Sequence, residues 1–150
     1  MLRLSKKADY ALMAMKHLTL RGDRGSSSAR EIAEQYDIPI ELLAKVLQRL
    51  VRRGLLESHQ GTRGGYKLAR VASMISVADV IQGIDGPVRW TACSTDAGTC
   101  EQYSKCNVRD PLWRVRERIL AALGECTIAE LAADTPPVPA ARPAVLHPHA

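Results

Sequence analysis

Ala8, Ala11, Leu12, Met15 and Leu18 recur at helical spacing, with Ser5 placed to cap the run and an Arg21-Gly22-Asp23 turn to end it. Ser28-Ala29-Arg30-Glu31 has the form of a capping box and opens a short helix through Ile32, Ala33 and Tyr36 that stops near Asp37. Pro39 suits the first turn of a third helix, in which Leu43, Val46, Leu47 and Leu50 form one apolar stripe and Gly54 supplies a left-handed stop. Two helices separated by so short a turn form a helix-turn-helix candidate. The pattern then changes period. Leu55 to Gln60 and Tyr66 to Ala69 read as two strands around the glycine-rich turn Gly61-Thr62-Arg63-Gly64-Gly65, which makes a wing. Ser76 caps a further helix carrying Val77, Val80, Ile81 and Ile84, ended by Asp85-Gly86-Pro87. After a polar loop at about 88–109, Asp110-Pro111 reads as an N-cap followed by proline at the first helical position. The helix it opens runs through Leu112, Val115, Ile119, Leu120 and Leu123 to Gly124, and Thr127 starts one or two turns more. The predicted fold is mainly α: a winged helix-turn-helix with a two-stranded wing, followed by a long C-terminal helix.

From Asp134 onward there are five prolines in seventeen residues and no aromatic residue or periodicity, which predicts a disordered tail over 134–150 in which His147 and His149 are inert. The chain shows no internal repeat. At 150 residues it can bury a core without staples. Four cysteines, no secretory pattern and an N-terminal stretch with Arg3, Lys6, Lys7, Asp9 and Lys16 point to the cytoplasm, and no apolar run is long enough to span a membrane.

Charge divides the chain further. Residues 1–70 hold 14 Lys/Arg against 7 Asp/Glu, and residues 71–150 hold 7 against 9. A basic half beside a near-neutral half suggests a nucleic-acid-binding part over 1–70 joined to a regulatory part over 71–133. On the third helix Glu41, Ala44, Lys45, Gln48 and Arg52 lie away from the apolar stripe. Glu, Lys and Gln can hydrogen-bond base edges in a major groove, and Ala44 allows close approach. Arg49 and the Arg52-Arg53 pair suit phosphates, which position a helix without reading sequence. Arg63 at the wing tip suits a minor groove or a phosphate, or a plain solvated hairpin tip.

The polar loop carries Cys93, Cys100 and Cys106, with six and five residues between successive cysteines. That spacing is not the C-x-x-C clamp of structural zinc sites, and it suits a larger guest such as an iron–sulfur cluster without matching a ferredoxin run. Three thiolates leave one ligand open. Asp96, Glu101 and Asp110 lie nearby in sequence, and Asp9 could be brought in by folding or from a second subunit. Cys126 stands apart and reads as a buried structural thiol. Zinc or a thiol switch on the same loop stays open, as does a cluster carrier or thiol oxidoreductase. No C-x-x-C, phosphate loop or catalytic triad supports an enzyme.

The opening M-L-R-L-S-K-K-A-D-Y-A-L, the stretch L-Q-R-L-V-R-R-G-L-L, the wing G-T-R-G-G-Y-K-L-A and the segment I-S-V-A-D-V-I resemble the Rrf-type winged-helix transcription regulators, a family with IscR-like and NsrR-like members. The resemblance covers about residues 1–133. It implies a homodimer paired through the long helix, a pseudo-palindromic double-stranded DNA operator, and a cluster on Cys93, Cys100 and Cys106, two-iron two-sulfur rather than four-iron four-sulfur. IscR-like members place a histidine ligand where this chain has Arg109. NsrR-like members use an N-terminal aspartate of the partner subunit, and Asp9 matches that position. The implied role is regulation of transcription, with iron–sulfur assembly genes as expected targets and nitric oxide or redox sensing as the alternative within the family.

Overall fold

Hydroxyl side chains set four of the α-helix starts. Ser5 accepts the backbone N–H of Ala8 and opens α1 (Lys6–Arg21), and Ser28 and Ser76 form complete capping boxes at the starts of α2 (Ala29–Tyr36) and α4 (Val77–Asp85). Thr127 forms a third box, with Glu130, for the short α6 (Ile128–Ala132). The computed structural model describes residues 3–22, 25–62, 64–89 and 100–133. Arg63, Cys93, Asp96 and the 134–150 tail with His147 and His149 lie outside them.

Asp37 ends α2 in the left-handed region, and α3 (Ile40–Arg52) begins three residues later. Pro39 stands at the N-cap, one place before the expected first turn, and its carbonyl accepts the N–H of Leu43. Gly54, at φ +73°, takes the left-handed stop expected of it. The wing strands β1 (Leu56–His59) and β2 (Gly65–Leu68) pair antiparallel, with Leu56 opposite Leu68 and Glu57 opposite Lys67. A 3-10 turn at Ala72–Met74 leads into α4. One core joins Met15, Ile32, Leu43, Leu47, Leu50, Leu56, Ile75, Val80 and Ile128, so residues from both sides of position 70 share it.

The long helix differs from its sequence reading at both ends. α5 spans Arg109–Glu125, with Val108 at the N-cap and no side-chain capping bond. Asp110 and Pro111 are therefore its second and third residues. Arg109 Nε donates to Asp110 Oδ1 at 3.0 Å, so that carboxylate is paired sideways rather than capping. Pro111 costs nothing there because a first-turn N–H has no helical acceptor anyway. At the other end α5 passes through Gly124 and stops at Cys126, whose carbonyl accepts the N–H of Val77 at 2.8 Å. Thr127 then bridges Ser76, and Ile128 N–H bonds Ile75 O at 2.9 Å. A long-range pairing, and not the glycine, ends the helix. Among the described residues no helix is long and apolar enough to cross a membrane.

Candidate nucleic-acid interface and cysteine loop

α3 buries Leu43, Val46, Leu47 and Leu50, and so turns its other face outward. Glu41, Lys45, Gln48, Arg49 and Arg52 are exposed and Ala44 is half-buried. Two of the expected DNA contacts already hold partners inside the protein. Gln48 Nε2 donates to the Tyr66 hydroxyl at 2.8 Å, and Arg49 Nε donates to the Gly83 carbonyl of α4 at 3.0 Å.

Beside α3 lies an open groove of about 1110 Å³, lined by Ser5, Lys6, Lys7, Lys45, Arg49, Arg52, Arg53 and Asp85 among others. Asp85, the one carboxylate among the described residues that line it, is taken up by Ser5, whose Oγ donates to Oδ1 at 2.5 Å. None of the six cations pairs with a carboxylate among the described residues. Lys6 and Lys7 were not among the residues expected from sequence. The available signal was their place in the first turn of α1, where positive charge opposes the helix dipole and gains nothing from the helix itself.

A buried polar cluster backs the wing. The His17 ring bonds the Tyr36 hydroxyl through Nδ1 at 2.9 Å and Ser27 Oγ through Nε2 at 3.1 Å, and Arg21 Nε donates to the same Ser27 Oγ at 3.0 Å. Burial, and then the Arg21 charge, hold the His17 imidazole below the usual histidine range, against a smaller opposing effect of Glu31. Ser27 also exchanges both backbone hydrogen bonds with Tyr66, which adds a third position to the outer edge of β2. No periodicity in the sequence announced that rung.

Cys100 and Cys106 are free and half-buried at the two ends of a short turn. Tyr103 N–H bonds Cys100 O and Lys105 N–H bonds Gln102 O, at 3.1 and 3.0 Å. Arg109 closes the turn onto α5: its guanidinium lies 4.5 Å from the Tyr103 ring centre and Nη1 donates to Tyr103 O at 3.1 Å. Cys93 falls outside the described residues, and Asp9 sits half-buried in the first turn of α1. Among the described residues no three His, Cys, Asp or Glu side chains converge on one point that could hold a metal ion. Cys126 is half-buried at the α5–α6 joint, and burial followed by Glu130 raises its thiol pKa, as suits a structural cysteine.

Residues 4–134 match the Rrf2 family, described as iron-dependent transcriptional regulators. The HTH-type transcriptional regulator IscR of Klebsiella pneumoniae (strain 342) is 35% identical over 131 residues, 87% of this chain and 79% of that protein. That of Xenorhabdus nematophila is 36% identical over the same shares. In three dimensions the chain is similar to CymR, the global cysteine regulator of B. subtilis, with a TM-score of 0.73 and 27% identity over 91% of this chain and all of that one. T. potens IscR superposes with a TM-score of 0.68 at 27% identity, covering 87% and 85% of the two chains. With a winged helix, a cationic groove beside α3 and these relatives, the chain belongs to the Rrf2 family as an IscR-like, DNA-binding transcriptional regulator rather than an enzyme.

Proposed function

We propose that this regulator works as a homodimer on a pseudo-palindromic duplex operator, holds an iron–sulfur cluster on its cysteine loop, and changes its DNA affinity with the state of that cluster. Genes of iron–sulfur assembly are the expected targets. In this scheme residues 1–70 bind DNA, and residues 71–133 carry the cluster loop and the dimer helix. The observation that carries the DNA reading is the groove beside α3, where Lys6, Lys7, Lys45, Arg49, Arg52 and Arg53 gather without carboxylate partners among the described residues. Such a surface suits a phosphate backbone running next to a major groove that α3 enters.

The residues present fit the cluster in part. Cys100 and Cys106 are free thiols on one anchored turn, and they suit two thiolate ligands. Cys93 would supply the third, and Asp9 of the second copy the fourth. Arg109 cannot ligate, because its guanidinium stays protonated and is engaged with Tyr103 and Asp110. When bound, the cluster supplies a group that responds to oxidation and to nitric oxide. The chain's own bonds then offer a route to α3. Arg109 ties the turn to α5, the Cys126 carbonyl ties the end of α5 to the start of α4, and Gly83 of α4 holds Arg49 of α3.

Anaerobically purified protein should show visible cluster absorption and acid-labile sulfide, both lost in Cys106→Ser and weakened in Asp9→Ala. Cluster-loaded and cluster-free protein should shift one operator duplex at different concentrations, and equal shifts would sink the sensor reading. A zinc or thiol-switch regulator is the second reading, favoured by two free, partly exposed thiols. Bound zinc without sulfide would select it.

A further inference from the structure

We infer that Gln48 and Tyr66 together brace the wing against the recognition helix, so that Gln48 is a positioning residue for DNA binding rather than a reader of bases. This rests on the DNA-binding role stated above. Gln48 projects from the outward face of α3, where its spacing alone would aim it at a groove. Its amide nitrogen instead donates to the Tyr66 hydroxyl at 2.8 Å. That oxygen is itself a fixed point, because the Tyr66 residue is only 9% exposed and its backbone is held from the opposite side. Tyr66 N–H donates to Ser27 O at 2.8 Å, and Ser27 N–H donates to Tyr66 O at 3.1 Å. The approach is close enough to exclude a side chain next door: a Cβ on Gly65 would stand 2.5 Å from Ser27 O. Ser27 in turn is anchored through its fully buried hydroxyl, which bonds His17 and Arg21 of α1.

Tyr66 is thus tied through its backbone to the segment that precedes α2, and through its hydroxyl to α3. A hairpin of two four-residue strands has little rigidity of its own. Its angle to α3 therefore depends on such tethers, and the wing tip reaches a phosphate or groove in register with α3 only if that angle is kept. Bidentate readout of a base by glutamine needs the amide plane turned to the base edge. In Gln48 the bond to Tyr66 directs the amide to the wing.

The test combines amide hydrogen exchange on the free protein with binding to duplexes that the wild type enriches from a randomised library, together with all single-base variants of the best duplex. In Gln48→Ala and Tyr66→Phe, exchange across residues 64–68 should rise several-fold. Gln48→Glu should stay near wild type there, because the tyrosine hydroxyl can donate to the new carboxylate. Each of the first two variants should weaken binding about five-fold, the equivalent of a net hydrogen bond of about 1 kcal/mol. The loss should be equal on every duplex with the rank order kept, and the double variant should be no worse than either single one. A change of preference at one base position in Gln48→Ala, or unaltered exchange in Tyr66→Phe, would overturn the brace. If the wild type enriched no duplex, the DNA-binding role itself would fall, while the exchange result would still decide the brace.

Discussion

His17 sits 8% exposed between two hydroxyls, with an arginine beside it. Arg21 donates to Ser27 Oγ, and a neutral His17 ring is satisfied in either tautomer, one nitrogen donating to a hydroxyl and the other accepting from one. That arrangement uses the neutral ring, in agreement with a pKa held below 6.5 by burial and by Arg21. With the folded value below the unfolded one, the unfolded chain takes up the proton first as pH falls. The stabilisation from neutral His17 is full above about pH 6.5 and is lost as pH falls through the lower folded value. Urea midpoints measured from pH 7.5 to 5 should fall across that window more for the wild type than for His17→Gln, which keeps a polar group but does not titrate. Gly65 is the second residue on which the wing depends. At φ +152° and with no space toward Ser27 O, Gly65→Ala should cost about 2 kcal/mol or more by chemical denaturation. An unchanged midpoint would mean that the Ser27–Tyr66 rung yields easily.

Among the α-helices, α5 is the one that buries no residue in the core. None of its side chains is buried, although it carries Leu112, Trp113, Val115, Ile119, Leu120 and Leu123. Leu123 reaches the core edge, while Trp113 and Val115 remain 52% and 41% exposed, with Arg116 stacked 4.8 Å from the Trp113 ring centre. An apolar helix face of this kind is what a second copy would cover in the proposed homodimer. Trp113→Glu should shift the protein from dimer to monomer in sedimentation equilibrium while leaving its helical circular dichroism intact. It should also weaken binding to a two-half-site duplex far more than to a single half-site. A monomeric wild type would remove the dimer from the proposal.

At the scale of the whole molecule, the charge is concentrated where the fold brings three separate stretches together. Lys6 and Lys7 come from the start of α1, Lys45 to Arg53 from α3 and its end, and Asp85 from the end of α4. If these cations hold DNA phosphates, the logarithm of the affinity should fall linearly with the logarithm of salt concentration. Replacing Lys6 and Lys7 with alanine should lower that slope by roughly two, about one for each phosphate no longer neutralised, with base preference unchanged. An unaltered slope, read from fluorescence anisotropy titrations at several salt concentrations, would place the phosphates elsewhere.

The elements α1 to α4, both wing strands and the start of α6 were legible in the chain because each is specified within a few residues of itself. Ser5, Ser28, Ser76 and Thr127 cap, Gly54 stops, and apolar spacing marks the buried faces. The basic first half was legible too, since charge is additive along a sequence. What the tertiary structure decided are the features that depend on a distant partner. Arg109 draws Asp110 away from capping, and Val77 and Ser76, rather than Gly124, end α5. Tyr66 engages the amide of Gln48, Gly83 engages Arg49, and Lys6 and Lys7 join α3 in one groove although some forty residues separate them in the chain. Local propensity carries no term for a neighbour that only folding supplies, so the helices could be read in advance while the roles of side chains on their open faces could not.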